Sequence, residues 1–208
     1  DIPWKNVIIS GWILDPDRKK MSKSKGNVVT PQGLLEKYSA DAVRYWAGRA
    51  RLGADTAFDE KIFAVGQKLV TKLGNISKFV SMQLGDYVPQ TKDIAVEIDK
   101  SFIASLADTV KRCTEAFSGF EFSAALQEAE AHFWSFCDGY VEIVKGRSYQ
   151  SDDIAGRNSS LATLAYAFET YLKLFAPFIP FTAEELWQGK SYSFDTSAES
   201  IHKCRWPN

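Results

Sequence analysis

The architecture expected of this chain is set by residues 59–81, DEKIFAVGQKLVTKLGNISKFVS. Apolar side chains recur in this segment every three or four residues, at Ile62, Val65, Leu69, Leu73, Ile76 and Val80. This period places them on one face of an α-helix and predicts a helix of about 23 residues. Asp59 belongs to the residue types that cap helix N-termini, so we expect the helix to begin there.

Three further amphipathic helices are predicted downstream. Apolar side chains recur at helical spacing over residues 102–117, from about 123 to 145, and over 161–175, and the polar stretch 146–157 separates the last two. Residues 182–185, TAEE, have the pattern of a capping box and predict a short final helix. Four long stripes with short connections predict a mainly α protein built as a helical bundle.

The beginning of the chain has a different pattern, typical of a small α/β unit. Residues 6–13, NVIISGWI, are apolar and rich in β-branched side chains, which predicts a buried strand. Gly11 within this strand indicates a bulge or a close approach of another backbone. Thr30-Pro31 and Ser39 are typical starts of two short helices. We therefore predict a domain boundary near residue 59.

The composition limits the class of protein. The chain has 208 residues, of which 45% are hydrophobic and 25% charged, so it has enough apolar material for a core and falls outside the disordered class. No apolar window approaches the roughly 20 residues of a membrane span. Three separated cysteines and two histidines predict neither a metal site nor a disulfide framework. A reducing, cytoplasmic location is expected, without a membrane partner.

The net charge of −1 conceals an asymmetry along the chain. Residues 1–78 carry 14 Lys and Arg against 8 Asp and Glu, whereas residues 79–208 carry 11 against 18. A basic first third beside an acidic remainder fits a polyanionic partner on one side of the molecule. Chance variation on a solvated surface would give the same counts, so charge alone leaves both interpretations open.

One loop has residues suited to phosphate chemistry. Residues 18–25, RKKMSKSK, contain five positive charges, and Lys20 and Lys23 lie three residues apart with Ser22 and Ser24 beside them. Two ammonium groups on long stems can reach one triphosphate and stabilise the charge that develops at the α-phosphate and on the leaving pyrophosphate. The alternative is a generic basic surface loop, and charge alone does not exclude it.

A polar stripe runs beside the buried stripe of the first long helix. Its members recur at spacings of three and four residues: Lys68, Lys72, Asn75 and Lys78. Such a stripe is usually a solvent-exposed face without a binding role. A helix that binds RNA, however, also needs hydrogen-bond donors on one face. Phe79 beside it could stack on an unpaired base, although its neighbours favour a place in the core.

Several motifs of this chain resemble one enzyme family. The string Lys20-Met21-Ser22-Lys23-Ser24 matches the KMSKS signature of the class I aminoacyl-tRNA synthetases. The residues around it and those of two later segments resemble the valyl branch of that family: 11–19, 25–31, 40–46 and 53–59. Three more segments are similar to the anticodon-binding domain of the valyl, isoleucyl and leucyl group: 72–79, 133–142 and 177–187.

The resemblance implies a fold and an activity. Residues 1–58 would be the end of a Rossmann-like catalytic domain with the KMSKS loop and the stem-contact region, and residues 59–208 a helical-bundle anticodon-binding domain. The parent enzyme would ligate valine to tRNA(Val) with ATP and Mg²⁺. The family's HIGH motif is absent from this sequence, so we expect the segment alone to be an inactive monomer that binds no ATP tightly.

The resemblance also implies roles for particular residues. Lys20 and Lys23 would be catalytic, and ATP would contact Lys20, Met21, Ser22, Lys23 and Ser24. tRNA would contact Lys68, Lys72, Asn75 and Lys78. Two alternatives stay open: a segment of an isoleucyl- or leucyl-tRNA synthetase, and a stand-alone helical RNA-binding module.

The remaining polar and aromatic residues are assigned mainly to structure. Asp41 and Arg44 lie three apart on a helix, which predicts an ion pair or a contact with the tRNA inner corner. Gln67 stands where related enzymes often carry arginine, so a contact of that arginine with the anticodon is in question here. His132 and His202 have no evident partner in the sequence. Five aromatic residues are predicted to lie in the core: Trp134, Phe136, Tyr140, Phe175 and Trp187.

Overall fold

The computed structural model describes residues 3–149, 152–194 and 198–207. Two short strands and a series of helices follow one another along the chain: β1 (Ile13–Leu14), α1 (Pro31–Lys37), α2 (Ala40–Gly48), β2 (Thr56–Ala57), α3 (Glu60–Leu84), α4 (Glu97–Ser118), α5 (Phe122–Ser135), α6 (Val141–Ser148), α7 (Ile154–Phe175) and α8 (Pro180–Gly189). The predicted mainly α bundle is therefore confirmed. No helix in the described part of the chain is long and apolar enough to cross a membrane.

The core is organised around α7, which packs against α3, α4, α5, α6 and α8. Most of its residues from Ser159 to Phe175 are buried, on every side of the helix. A helix that is apolar all round must lie inside a domain. The sequence predicts a helix with one buried face here, and the structure shows that nearly all faces are covered because five helices surround it.

The longest helix, α3, begins where the sequence predicts. Asp59 is its N-cap and accepts a hydrogen bond from a first-turn backbone N–H at 2.9 Å. The predicted stripe is correct over most of the helix but wrong at one position, since Val65 is 40% exposed. Phe63 and Gly66 are buried instead, because α2 packs across this end of α3 and presses Tyr45 against Gly66.

The predicted helix from about 123 to 145 is continuous but contains an irregular turn. A π-helical turn, Phe136–Tyr140, joins α5 to α6, and the helix ends at Ser148. An extra residue in one turn changes which side chains face inwards. Phe136, Cys137 and Tyr140 are all buried as a result. The predicted polar connection therefore begins later, and residues 150 and 151 lie outside the described part.

The capping box predicted at residues 182–185 is wrong. Helix α8 begins two residues earlier, at Pro180. The backbone N–H groups of Phe181 and Thr182 donate to the carboxylate of Asp41, at 3.3 and 2.6 Å. Because the first amides of a helix lack partners within it, a carboxylate from another helix can satisfy them and also interact favourably with the helix dipole. The cap of α8 is thus supplied by α2.

The ion pair predicted between Asp41 and Arg44 is also wrong. Arg44 donates to the backbone carbonyl oxygens of Phe178 and Pro177, at 3.3 and 3.0 Å. The two residues therefore bind the same segment, Arg44 at the end that precedes α8 and Asp41 at the N-terminus of that helix. Helix α2 packs against α3, α5 and α8, so the core is continuous across residue 59, and the division at that residue stays a prediction.

The strand predicted over residues 6–13 is mostly wrong. Of residues 6–13, only Ile13 lies in a strand. This strand is β1, which pairs in parallel with β2. Val7, Ile8 and Ile9 are 65%, 48% and 72% exposed. The apolar pattern is that of a strand inside a sheet, but within the described part of the chain β2 is the one strand that pairs with β1. The close approach predicted at Gly11 is confirmed, since a Cβ there would lie 2.0 Å from the carbonyl oxygen of Ala54.

The two short helices after the basic loop begin as predicted. Pro31 opens α1 after Thr30, and Ser39 caps α2 by accepting a hydrogen bond from the backbone N–H of Ala42 at 3.2 Å. Leu35 in α1 is 51% exposed, and α1 packs against α2.

Candidate functional site

The basic loop is closed at its base by Asp15 and Asn27. Asp15 is 6% exposed and accepts hydrogen bonds from the backbone N–H of Lys19 at 2.7 Å and from Asn27 Nδ2 at 2.8 Å. These bonds, the first more than the second, hold the pKa of the Asp15 carboxyl below its ordinary value. Asn27 Oδ1 also accepts the backbone N–H of Ser22 at 2.9 Å. The side chains of Asp15 and Asn27, 12 residues apart in sequence, therefore hold the two ends of the loop together.

Lys20 lies in the N-terminal half of this loop. Its backbone forms an isolated antiparallel bridge with Leu14. Its ammonium lies 4.4 Å from the centroid of the Trp12 ring, a cation–π contact on an exposed surface. The side chain is exposed, so the charge is available to a ligand.

Lys23 begins a short 3₁₀ turn, Lys23–Lys25, and is also exposed. The turn ends at Gly26, whose φ of 66° lies in the left-handed region that glycine tolerates. Ser22 Oγ and Ser24 Oγ lie 3.1 Å apart and bond to each other, while Met21 is half-buried. The loop thus presents Lys20 and Lys23 to solvent on a defined backbone, as the phosphate interpretation requires.

Three residues of the predicted polar stripe come together in one groove. This α3–α5 groove has a volume of about 420 Å³ and is lined by Tyr38, Ala64, Gln67, Lys68, Thr71, Lys72, Asn75 and Trp134. Lys78, the fourth predicted residue, is exposed further along α3 and does not line it. The structure therefore joins Lys68, Lys72 and Asn75 with two aromatic side chains that the sequence does not connect with them.

The positive charge in the groove is partly balanced. Lys72 Nζ lies 3.2 Å from Asp138 Oδ1 and 5.8 Å from the centroid of the Trp134 ring. Asp138 projects from the π-helical turn and is exposed, so this ion pair contributes at most about 1 kcal/mol. Among the described residues, Lys68 makes no ion pair.

Trp134 is not the core residue that the sequence predicts. It is half-buried, lines the groove, and donates from Nε1 to Glu130 Oε1 at 3.4 Å. Glu130 is 7% exposed and also accepts from Tyr45 Oη at 2.7 Å and from Arg49 Nη1 at 3.1 Å. Burial, and then this bond to Glu130, raise the pKa of Tyr45. The four other predicted core aromatics are buried, as expected: Phe136, Tyr140, Phe175 and Trp187.

Both histidines have partners, contrary to the sequence interpretation. His132 Nδ1 lies 2.6 Å from Tyr171 Oη, and burial lowers the pKa of His132. His202 Nε2 lies 3.9 Å from Glu184 Oε2. Gln67 has a structural contact as well, because its Oε1 accepts the backbone N–H of Ser39 at 3.3 Å.

Sequence reasoning missed several residues of both sites. Asp15 and Asn27 lie in segments that resemble the synthetase family, and the turn pattern Asp15-Pro16-Asp17 is the one local indication of a defined loop there. Asp138 and Tyr38 carry no sequence signal that connects them with the stripe on α3, because their proximity depends on how the helices pack.

Two family models match parts of this chain. Residues 1–59 match the family model of tRNA synthetases class I (I, L, M and V), and residues 99–208 match that of the anticodon-binding domain of tRNA ligase. The chain is 48% identical over 208 residues to the valine–tRNA ligase of Thermobifida fusca, covering all of this chain and 23% of that protein. It is 45% identical to that of Wolbachia pipientis wMel, covering all of this chain and 24% of that protein.

A solved structure shares the fold. The LeuRS of Agrobacterium radiobacter K84, determined as a ternary complex with tRNA and LeuAMS, superimposes with a TM-score of 0.73 at 20% identity over 95% of this chain and 23% of that one. The chain thus spans about a quarter of the length of its curated relatives. Because the anticodon-binding model matches more than half of its residues, the chain belongs to the family of the anticodon-binding domains of tRNA ligases, and its first 59 residues are similar to the class I tRNA synthetases.

Proposed function

We propose that this chain is part of an ATP-dependent valine–tRNA ligase. The proposal is supported by relatives of that name at 43–48% identity along the chain. The same relatives make an isoleucyl or leucyl enzyme, or a stand-alone RNA-binding module, the less favoured alternatives. In the reaction a valine carboxylate oxygen attacks the α-phosphorus of ATP and releases pyrophosphate. A hydroxyl of the tRNA terminal adenosine then takes the valyl group from the adenylate and releases AMP.

The KMSKS loop would act in the first step. ATP, which enters as its magnesium complex, would contact Lys20, Met21, Ser22, Lys23 and Ser24. The ammonium groups of Lys20 and Lys23 would stabilise the negative charge that develops around the α-phosphorus and on the leaving pyrophosphate. The observation that carries this proposal is that both lysines are exposed on one loop whose base is held by Asp15 and Asn27.

The helical part would bind tRNA(Val). Lys68, Lys72 and Asn75 in the groove, with Lys78 beyond it, would contact the RNA through phosphates and base edges. The basic charge of residues 1–78 supports this partner, since phosphate contacts dominate such binding. We further propose that the protein acts as a monomer in the cytoplasm.

Pyrophosphate exchange in the full-length protein tests the loop. Lys20→Ala and Lys23→Ala should each slow valine-dependent ATP–pyrophosphate exchange by a factor of about 100 to 1000, because each removes a contact made in the transition state. Lys25→Ala is the matched control, since it removes an exposed lysine of the same loop and should change the rate little. Unchanged exchange in both test variants would contradict the proposed role.

A further inference from the structure

Backbone contacts bring the side chains of Trp12 and Lys20 together at the start of the basic loop. Trp12 donates its backbone N–H to Asp55 Oδ1 at 2.8 Å, and its carbonyl oxygen accepts the N–H of Thr56 at 2.9 Å. The backbone of Lys20 forms an antiparallel bridge with that of Leu14. Because side chains alternate along an extended segment, Trp12 and Leu14 share a face, and a long side chain opposite Leu14 reaches Trp12 diagonally.

This contact places the charge of Lys20 over an aromatic ring instead of beside a carboxylate. The ammonium lies 4.4 Å from the centroid of the Trp12 ring, inside the limit of about 6 Å within which the negative face of the ring attracts a cation. The preceding lysine, Lys19, instead lies 3.8 Å from Asp17. A carboxylate would neutralise the charge, whereas an uncharged ring orients the ammonium and leaves it positive. The N–H donors of Lys20 that point away from the ring stay available to an anion.

We propose that Trp12 is a positioning residue for the KMSKS loop, whose ring orients the ammonium of Lys20 before ATP arrives. This inference rests on the proposed role of Lys20 in adenylate formation and adds to it a residue outside the KMSKS motif. The long lysine side chain otherwise samples many rotamers, and this freedom is lost when the ammonium engages the phosphates. An ammonium that is already ordered loses less entropy in the transition state, so the contact with Trp12 raises kcat.

A double-mutant cycle in the full-length protein tests this role through valine-dependent ATP–pyrophosphate exchange. Trp12→Leu keeps an apolar side chain without a π face and should lower the maximal exchange rate about two- to fivefold, the effect of losing one exposed cation–π contact. In the Lys20→Ala background the same substitution should not lower the rate further, because the ring then has no ammonium to orient. A purely structural role of Trp12 would lower the rate by the same factor in both backgrounds.

Two further sets of variants make the result specific. Trp4→Leu is the matched control, since Trp4 is an exposed tryptophan of the same N-terminal segment, and it should leave exchange unchanged in both backgrounds. Fluorinated tryptophans in place of Trp12 nearly keep the size of the ring but weaken its negative face stepwise. The exchange rate should therefore fall with each added fluorine. If Trp12→Leu does not fold by circular dichroism, this series decides.

NMR on the 208-residue chain measures the contact itself. Protons that lie over the face of an aromatic ring are shifted upfield. The ε-CH₂ protons of Lys20 should therefore resonate upfield of those of Lys25, an exposed lysine of the same loop. Trp12→Leu should remove this difference.

The outcomes separate this inference from the function on which it rests. If Lys20→Ala slows exchange but Trp12→Leu does not, or if Trp12→Leu slows it equally in both backgrounds, the positioning role is overturned and the proposed function stands. Equal chemical shifts for Lys20 and Lys25 would also overturn the positioning role, since the ring contact would then be absent. If the wild-type protein shows no exchange, or Lys20→Ala exchanges at the wild-type rate, the proposed function of the loop is itself refuted and the role of Trp12 falls with it.

Discussion

Replacement of Asp41 by alanine should destabilise the bundle, because this residue of the short helix α2 caps the N-terminus of α8. Its carboxylate is 2% exposed and accepts the backbone N–H groups of Phe181 and Thr182 at the N-terminus of α8. Removal of the carboxylate takes the partner from two part-buried backbone donors and removes a negative charge from the positive end of a helix dipole.

The size of the effect follows from these contacts. Loss of an N-cap costs about 0.5–2 kcal/mol, and a hydrogen bond to a charged acceptor contributes about 1.5–3 kcal/mol. Because the two terms describe overlapping interactions, we expect Asp41→Ala to lower the free energy of unfolding by about 2–3 kcal/mol. Asp41→Asn keeps one acceptor oxygen without the charge and should cost about 1 kcal/mol.

Urea denaturation followed by circular dichroism measures these differences. Thr182→Ala is the decisive control, because Thr182 is the residue that the sequence pattern nominates as the cap, while its backbone N–H still donates to Asp41 after the change. We expect Thr182→Ala to cost less than about 0.5 kcal/mol. A larger loss for Thr182→Ala than for Asp41→Ala would show that α8 is capped locally and would refute the reasoning.

Two further predictions concern the groove and the loop. Asp138→Asn removes the partner of Lys72 and should tighten tRNA binding about two- to fivefold and steepen the log–log salt dependence by about one unit, as measured by anisotropy at several salt concentrations. Glu142→Gln removes an equal charge in the next turn and should have the smaller effect; the reverse order would contradict the role given to Asp138. Asn27→Ala should raise the lowered pKa of Asp15 towards its ordinary value of 3.8, as followed by NMR titration of its carboxyl. Because the folded-state pKa is depressed, the stability that Asp15 contributes is present above about pH 4 and is lost as the pH falls through the folded pKa, so this loss should shift to higher pH in the variant.

The features that sequence reasoning predicts correctly depend on near neighbours. The Asp59 cap and the start of α2 at Ser39 each depend on residues within about one turn. The KMSKS loop is contiguous, and the stripe on α3 is periodic, so both candidate sites can be located without a structure. The residues that surround each site cannot be located without a structure, as Asp15, Asn27 and Asp138 show.

Trp134 illustrates the limit at the level of one residue. It lies beside an apolar stripe, and periodicity alone places it in the core. Its actual exposure depends on the distance between α5 and α3, which leaves a groove at this point. The strand pattern of residues 6–13 fails for a related reason, because a strand is buried only if other strands or helices cover both its faces.

The sequence by itself determined the helical class of this protein, the starts of α1, α2 and α3, the basic loop and the polar stripe, because the period and the capping chemistry of a helix are local properties. Only the tertiary structure decided that Asp41 caps a helix about 140 residues away, that Trp134 faces a groove and that Asp138 balances Lys72. These contacts join distant parts of the chain, and their geometry is set by how the helices pack against α7, which no local pattern encodes.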